Sequence, residues 1–153
     1  MANKKIPGPG EGKRGEQGYF GYLLRQATTA YRARMEKALA KLEITPPQFS
    51  VLTMIAAYEG VSNADLARLS LLTPQTVSVI VNNLEKSGAI TRRAHAVHGR
   101  IQQLQITTLG LETLAQCKSY VKEVEQELSM SLTEEEACIV KRWLVSIAVN
   151  AES

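Results

Sequence analysis

The chain has 153 residues, 44% hydrophobic and 22% charged, with a formal net charge of +3. Such a balance suits one domain, or a small domain with a long appendage, and it leaves enough apolar residues to bury a real core. No run of about 18 apolar residues occurs and the N-terminus lacks a signal-peptide apolar stretch, so a cytoplasmic chain with no membrane partner is expected.

The charge is unevenly placed. Residues 1–59 hold nine Lys/Arg against five Glu, residues 60–106 five against Asp65 and Glu85, and residues 107–153 four against eight Glu. A polyanion would therefore be met by the first two thirds, and the C-terminal third should face away from it. Cys117 and Cys138 are too few to frame a disulfide scaffold.

In chain order, residues 1–18 mix Gly, Pro and charge with almost nothing apolar, which predicts a disordered tail. From Tyr19, apolar residues at Phe20, Leu24, Ala27, Tyr31, Met35, Ala38 and Leu42 keep steps of three and four, predicting a helix of about six turns within a segment 19–44. That is longer than a small core needs, and a second copy is the natural partner for the surplus. Thr45, with prolines at the first two helical positions and Gln48 at N3, forms a capping box that opens the next helix, whose Phe49, Leu52, Ile55 and Ala56 should face inward.

Ser62 then caps a short helix with Leu66, Ala67 and Leu69 as its apolar residues, and Ser70 to Leu72 form a turn. Thr73 and Pro74 start another helix, which Gly88 stops. In it Val77, Ile80, Val81 and Leu84 fall at i, i+3, i+4 and i+7, one apolar stripe. The opposite side carries Gln75, Thr76, Ser78, Asn82, Asn83 and Lys86, groups that bond base edges and phosphates without needing burial. Two short helices joined by a tight turn, the second with a polar exposed face, make a helix-turn-helix. AITRR and RIQQLQI read as strands around the carboxylate-free loop HAVHG, a wing that would carry Arg92, Arg93, His95, His98 and Arg100 toward a flanking groove. This reading head spans residues 45–106.

Beyond it, Leu114, Cys117, Val121, Val124 and Leu128 step as the seam of a long helix. Thr133 and three glutamates open a last one, expected to bury Val140, Trp143, Leu144 and Ile147. Residues 107–153 are thus expected to join the first helix in holding two copies together. The fold class is mainly α with a small β-wing: a winged helix-turn-helix between long terminal helices.

The order of TPPQFSVL, ADLA, NNLEKSGAITRR and ITTLG, at these distances across about residues 19–150, resembles the MarR family of winged-helix transcription regulators. The resemblance implies a homodimer on double-stranded DNA, with recognition helices in successive major grooves of a pseudo-palindromic operator, wings in adjacent minor grooves, and a small effector that relieves repression. It places Arg100 at the wing tip, where the family pattern is Asp-x-Arg, but here His98 replaces the aspartate. Position 79, often arginine in the family, is Val79, which points to an operator leaning toward A·T at the major-groove contacts. Ser62 and Val79 join the polar residues above in the set expected to touch DNA. For an aromatic-acid effector, Tyr22, Arg25 and Tyr58 are the lining residues expected.

Rival readings are weaker. No nucleophile has a neighbouring base and no Gly-rich phosphate loop occurs, so neither an enzyme nor a cofactor is expected. A winged helix can serve as a protein-interaction module without specific DNA binding, but a polar helix face beside a basic wing suits nucleic acid better. His95 and His98 fall short of a four-ligand zinc site, so no metal is expected. Some relatives sense peroxide through a cysteine near the start of the first helix, where this chain has none; Cys117 and Cys138 are read as packing residues rather than a redox trigger.

Overall fold

A computed structural model describes residues 6–151. Eight elements follow in order: α1 (Phe20–Leu39), α2 (Pro46–Ala57), α3 (Asn63–Ser70), α4 (Pro74–Lys86), β1 (Ile90–Ala94), β2 (Gln102–Ile106), α5 (Thr108–Ser129) and α6 (Glu134–Ala151). β1 and β2 form an antiparallel two-stranded sheet in which Ile90 faces Ile106 and Ala94 faces Gln102. The architecture is a winged helix-turn-helix flanked by long helices, as the patterning predicts.

The local starts lie where the sequence puts them. The Thr45 hydroxyl accepts from the Gln48 backbone N–H while the Gln48 side chain accepts from Thr45, and Ser62 and Asp65 make the same reciprocal box at α3. Thr73 and Thr107 cap α4 and α5. At Thr133 the backbone N–H donates to Glu136 Oε2 at 2.8 Å, and Glu136 N–H donates back to Thr133 Oγ1. Each cap satisfies donors that the first turn cannot pair, worth about 1 kcal/mol.

Two packing clusters result. The larger joins Val51, Leu52 and Ile55 of α2, Leu66 of α3, the four-residue stripe of α4, Ile90, Leu104 and Leu114, so α4 is held from three sides. The smaller joins Met35 and Leu39 of α1 to Cys117 and Val124 of α5. Phe49 packs against both. Full burial of each such aliphatic contributes about 1.5–3 kcal/mol, which fixes where α4 and the wing sit.

Several expectations are corrected. Within the segment expected to be a disordered tail, residues 6–18 carry some local structure. A single turn, Gly12–Arg14, lies against α1, with Arg14 Nε donating to Gln26 Oε1 and Gln26 Nε2 donating back to the Arg14 carbonyl. That exchange of polar bonds supplies what the apolar pattern lacked; residues 1–5 lie outside the described residues. The last predicted turn of the first helix tightens into a 3-10 segment, Ala40–Leu42, ended by Glu43 in the left-handed region. Ala56 and Leu69 are exposed, and Val51 takes the inward place on α2. Val140, Trp143, Leu144 and Ile147, whose burial was expected to involve a second copy, are not buried in the single chain: none of α6's described residues is buried. Phe20 and Trp143 pack at a tilt of 49° with ring centroids 5.7 Å apart, joining α6 to the start of α1, but the rest of its apolar face stays largely open in a single copy.

Candidate nucleic-acid interface

α4 presents the surface the sequence predicts. Val77, Ile80, Val81 and Leu84 are buried, while Gln75, Thr76, Ser78, Val79, Asn82, Asn83 and Lys86 are all exposed. At about 100° per residue, Gln75, Val79, Asn82 and Lys86 fall within roughly 60° of arc on the side away from the core. Thr76 Oγ1 lies 2.9 Å from Thr73 Oγ1. A Thr at N3 can thereby reinforce the cap that aims the start of the helix outward.

The wing is fastened to this helix through Arg92. Its Nη2 donates to Asn82 Oδ1, its Nη1 donates to Gln102 Oε1 at 3.3 Å, and its Nε lies 3.0 Å from Glu85 Oε2. The Nε is buried and makes no aligned hydrogen bond, so its contact with Glu85 is ionic rather than directional. Arg92 is therefore half-buried, its charge balanced, at the joint between α4 and β1. The sequence reading expected it among the outward cations. Glu85 and Gln102, which hold it, were missed because a tie between a helix and a strand has no periodic signature. Among the described residues the ion pairs are this one and Asp65–Arg68, so Lys86, Arg93 and Arg100 face solvent without a carboxylate within ion-pair distance.

The histidines of the loop differ in role. His95 Nδ1 accepts the backbone N–H groups of Val97 and His98, each at 3.1 Å, while the His95 N–H donates to the Ile101 carbonyl. With Nδ1 engaged by two backbone N–H groups, His95 shapes the loop, and Nε2 is its ring nitrogen left for any contact outside. That employment also takes Nδ1 away from metal binding. His98 is exposed, with its ring 5.5 Å from that of His95.

Beneath the wing, Thr107 Oγ1 donates to the Gly88 carbonyl at 2.6 Å and accepts from the Gly110 N–H at 3.0 Å. A Cβ at Gly110 would lie 2.1 Å from the Ala89 carbonyl oxygen. The motif ITTLG is thus a clamp between the end of α4 and the start of α5.

Ser62 is occupied in capping. Its hydroxyl donates to Asp65 Oδ2 at 2.7 Å and accepts from the Asp65 N–H at 3.2 Å. The Ser62 hydroxyl, then the Arg68 guanidinium, then the Ser62 backbone N–H hold the Asp65 carboxyl below the usual carboxylate range. Ser62, Asn63 and Ala64 border a surface hollow together with Arg100 and Gln102, which brings the α3 start next to the wing arginine.

The three residues expected to line an effector site are not brought together. Tyr22 and Arg25 border a hollow on the tail side of α1 with Pro9 and Arg14, and Tyr58 borders another with Gly60, Asp65 and Arg68. A cavity of about 570 Å³ lies instead between α1 and α2, walled by Tyr31, Arg32, Met35, Phe49, Thr53, Met54 and others. Burial, and then the Glu125 carboxylate, push the Tyr31 hydroxyl up from its usual value, so it stays a donor at neutral pH. Arg32 lies seven residues, about two helical turns, beyond Arg25 on α1. Which of the two borders the α1–α2 hollow depends on the side α2 covers, which α1 alone does not state.

Both cysteines are free thiols. Burial pushes the Cys117 thiol up, which disfavours the reactive thiolate. Among the described residues no helix is long and apolar enough to cross a membrane.

Comparison with known proteins agrees with this geometry. The HTH-type transcriptional repressor Rv2887 of Mycobacterium tuberculosis is 31% identical over 125 residues, 82% of this chain and 90% of the relative. The solved DNA complex of S. aureus MepR superposes with a TM-score of 0.79 at 28% identity, covering 86% of this chain and 98% of that one. The Mycobacterium tuberculosis MarR family protein Rv2887 in complex with salicylic acid superposes with a TM-score of 0.69 at 29% identity, over 86% and 98% of the two chains. The MarR family profile matches residues 42–101, from the end of the first helical segment to the far side of the wing loop. With the winged fold, the clamp at ITTLG and a repressor of known family aligned over most of both chains, this protein belongs to the MarR family.

Proposed function

We propose that two copies of this chain bind double-stranded DNA as a transcriptional repressor, with α4 of each in a major groove and the β1–β2 wing against the flanking backbone and minor groove. The observation that carries this reading is the pairing of the exposed polar stripe of α4 with Lys86, Arg93 and Arg100. Glu85, the acidic residue on α4, is paired with Arg92. Phosphate contacts from such cations position the protein, and base-edge contacts from α4 specify the site. MepR was solved on DNA, and the relative Rv2887 is a named repressor, which supports carrying the activity over. The uncovered apolar faces of α1 and α6 supply the dimer contact, with both long helices serving two copies at once. Such a protein works in the cytoplasm, where its DNA lies.

The cavity between α1 and α2 takes a small aromatic acid, with Arg32 for the carboxylate, Tyr31 as a hydroxyl donor and Phe49 and Met54 against the ring. The salicylic acid complex of Rv2887 supports that chemistry. A ligand there changes the spacing of two heads that must meet half-sites about 34 Å apart, and so weakens simultaneous engagement. The test is fluorescence anisotropy on duplexes selected from a random pool, in low salt, with and without salicylate. Specific binding that salicylate weakens, and that Arg32→Ala makes insensitive to salicylate, is the expected result. Equal affinity for all duplexes defeats the repressor reading. Unaltered release in Arg32→Ala defeats the effector site alone.

A further inference from the structure

At the middle of the polar stripe of α4 stands a residue that breaks its rule. Val79 is 59% exposed, flanked along the stripe by Gln75, Asn82 and Lys86. A β-branched apolar residue is a poor choice for an exposed helix position, where a long charged side chain propagates the helix better and keeps its solvation. Departures of this kind, at the centre of a working surface, mark a contact made elsewhere.

Asn82 lies one turn further on, at i+3, where Cβ atoms are about 5–6 Å apart. Its amide is not free to turn. The Arg92 guanidinium has donors only, so the Asn82 group facing it is the carbonyl oxygen. The nitrogen, Nδ2, is left directed away from that bond. An asparagine that reads adenine uses both ends of its amide at once, whereas one whose oxygen is already engaged offers chiefly a donor. Side by side, α4 therefore presents a methyl-bearing apolar surface and a hydrogen-bond donor. Among the four bases in the major groove, thymine shows the complement, a 5-methyl group beside the O4 acceptor.

We infer that Val79 and Asn82 together read one thymine in each half-site, Val79 against the 5-methyl group and Asn82 Nδ2 on O4, with Arg92 and Glu85 fixing the orientation of the Asn82 amide. The inference rests on the DNA-binding reading above and names the base that this part of α4 selects.

The experiment uses the full chain and the duplex it selects from a random pool, in which each thymine is replaced in turn by uracil, removing only the methyl group. One position per half-site is expected where uracil costs the wild-type protein about fourfold, the worth of one buried methyl. There Val79→Ala binds the thymine and uracil duplexes alike. At the same position 5-methylcytosine opposite guanine keeps the methyl but presents a donor in place of O4. The wild type should bind it at least tenfold more weakly, and Asn82→Ala should discriminate less. Indifference of the wild type to uracil at every thymine overturns the inference, as does an unchanged preference for thymine in Val79→Ala. Failure to bind any duplex in low salt removes the DNA-binding reading itself, a distinct result.

Discussion

Arg92 and Arg100 are both wing arginines, yet they differ in kind. Arg100 is exposed and unpaired among the described residues, whereas Arg92 is spent on Glu85, Asn82 and Gln102. Arg100→Ala should therefore weaken binding to every duplex and lower the salt slope by about two for a dimer, one contact per wing. Anisotropy titrations across a salt series read this directly, and an unchanged slope would place Arg100 away from the phosphates. Arg92→Ala should act otherwise, with little change in slope and a broadened sequence preference, because it releases Asn82 and loosens the joint. The sequence made the two look alike. In the sequence both fall near the loop-side ends of the strand-like runs AITRR and RIQQLQI, and the side chains that separate them lie on another element or across the sheet. His95 teaches the same lesson, since a loop imidazole reads as an outward contact until the backbone groups that it accepts are in view.

At the scale of elements, what the sequence states best is where helices begin. Thr45, Ser62, Thr73 and Thr133 were legible because a cap is a local arrangement of four residues, whereas Thr107, which caps α5, stood in the sequence only as a letter of ITTLG. The α3 cap carries a pH dependence with a definite sign. The Asp65 carboxyl sits below its usual range when folded, so its contribution is complete above the unfolded value and is lost as pH falls through the depressed one. Asp65→Asn should flatten the acid limb of the thermal midpoint against pH; an unchanged limb would mean that the box contributes nothing there. Gly110 is the harder case. Read alone it was one letter of a motif, and only the approach of the Ala89 carbonyl shows why a side chain has no room. Gly110→Ala should destabilise the fold by about 1–3 kcal/mol or more through overpacking, read as a lowered urea midpoint with little change in m-value.

For the whole molecule, the apolar residues of α6 mark the boundary of what one chain explains. Trp143, Leu144 and Ile147 are each at least a third exposed, with Val145 and Val149 more so, a concentration that isolated domains do not ordinarily leave to water. Their spacing in the sequence announced a buried helix face, but spacing does not say whether the cover comes from the same chain. Leu144→Glu together with Ile147→Glu should convert a dimer to a monomer in sedimentation velocity, and DNA affinity should fall with it. A monomeric wild type at micromolar concentration would contradict the assembly. The winged unit itself needs no second copy, since its core closes within residues 51–114.

Phe49 has one ring and two neighbourhoods. It leans on the cluster that supports α4 and on the cluster that binds α1 to α5, and it also forms part of the wall between α1 and α2. A guest pressing on that wall has no means of disturbing one half of the protein and sparing the other. If the proposed effector binds there, displacing this aromatic would press on the scaffold behind the reading helix and on the long struts together, and a single benzyl group would then join regulation to recognition.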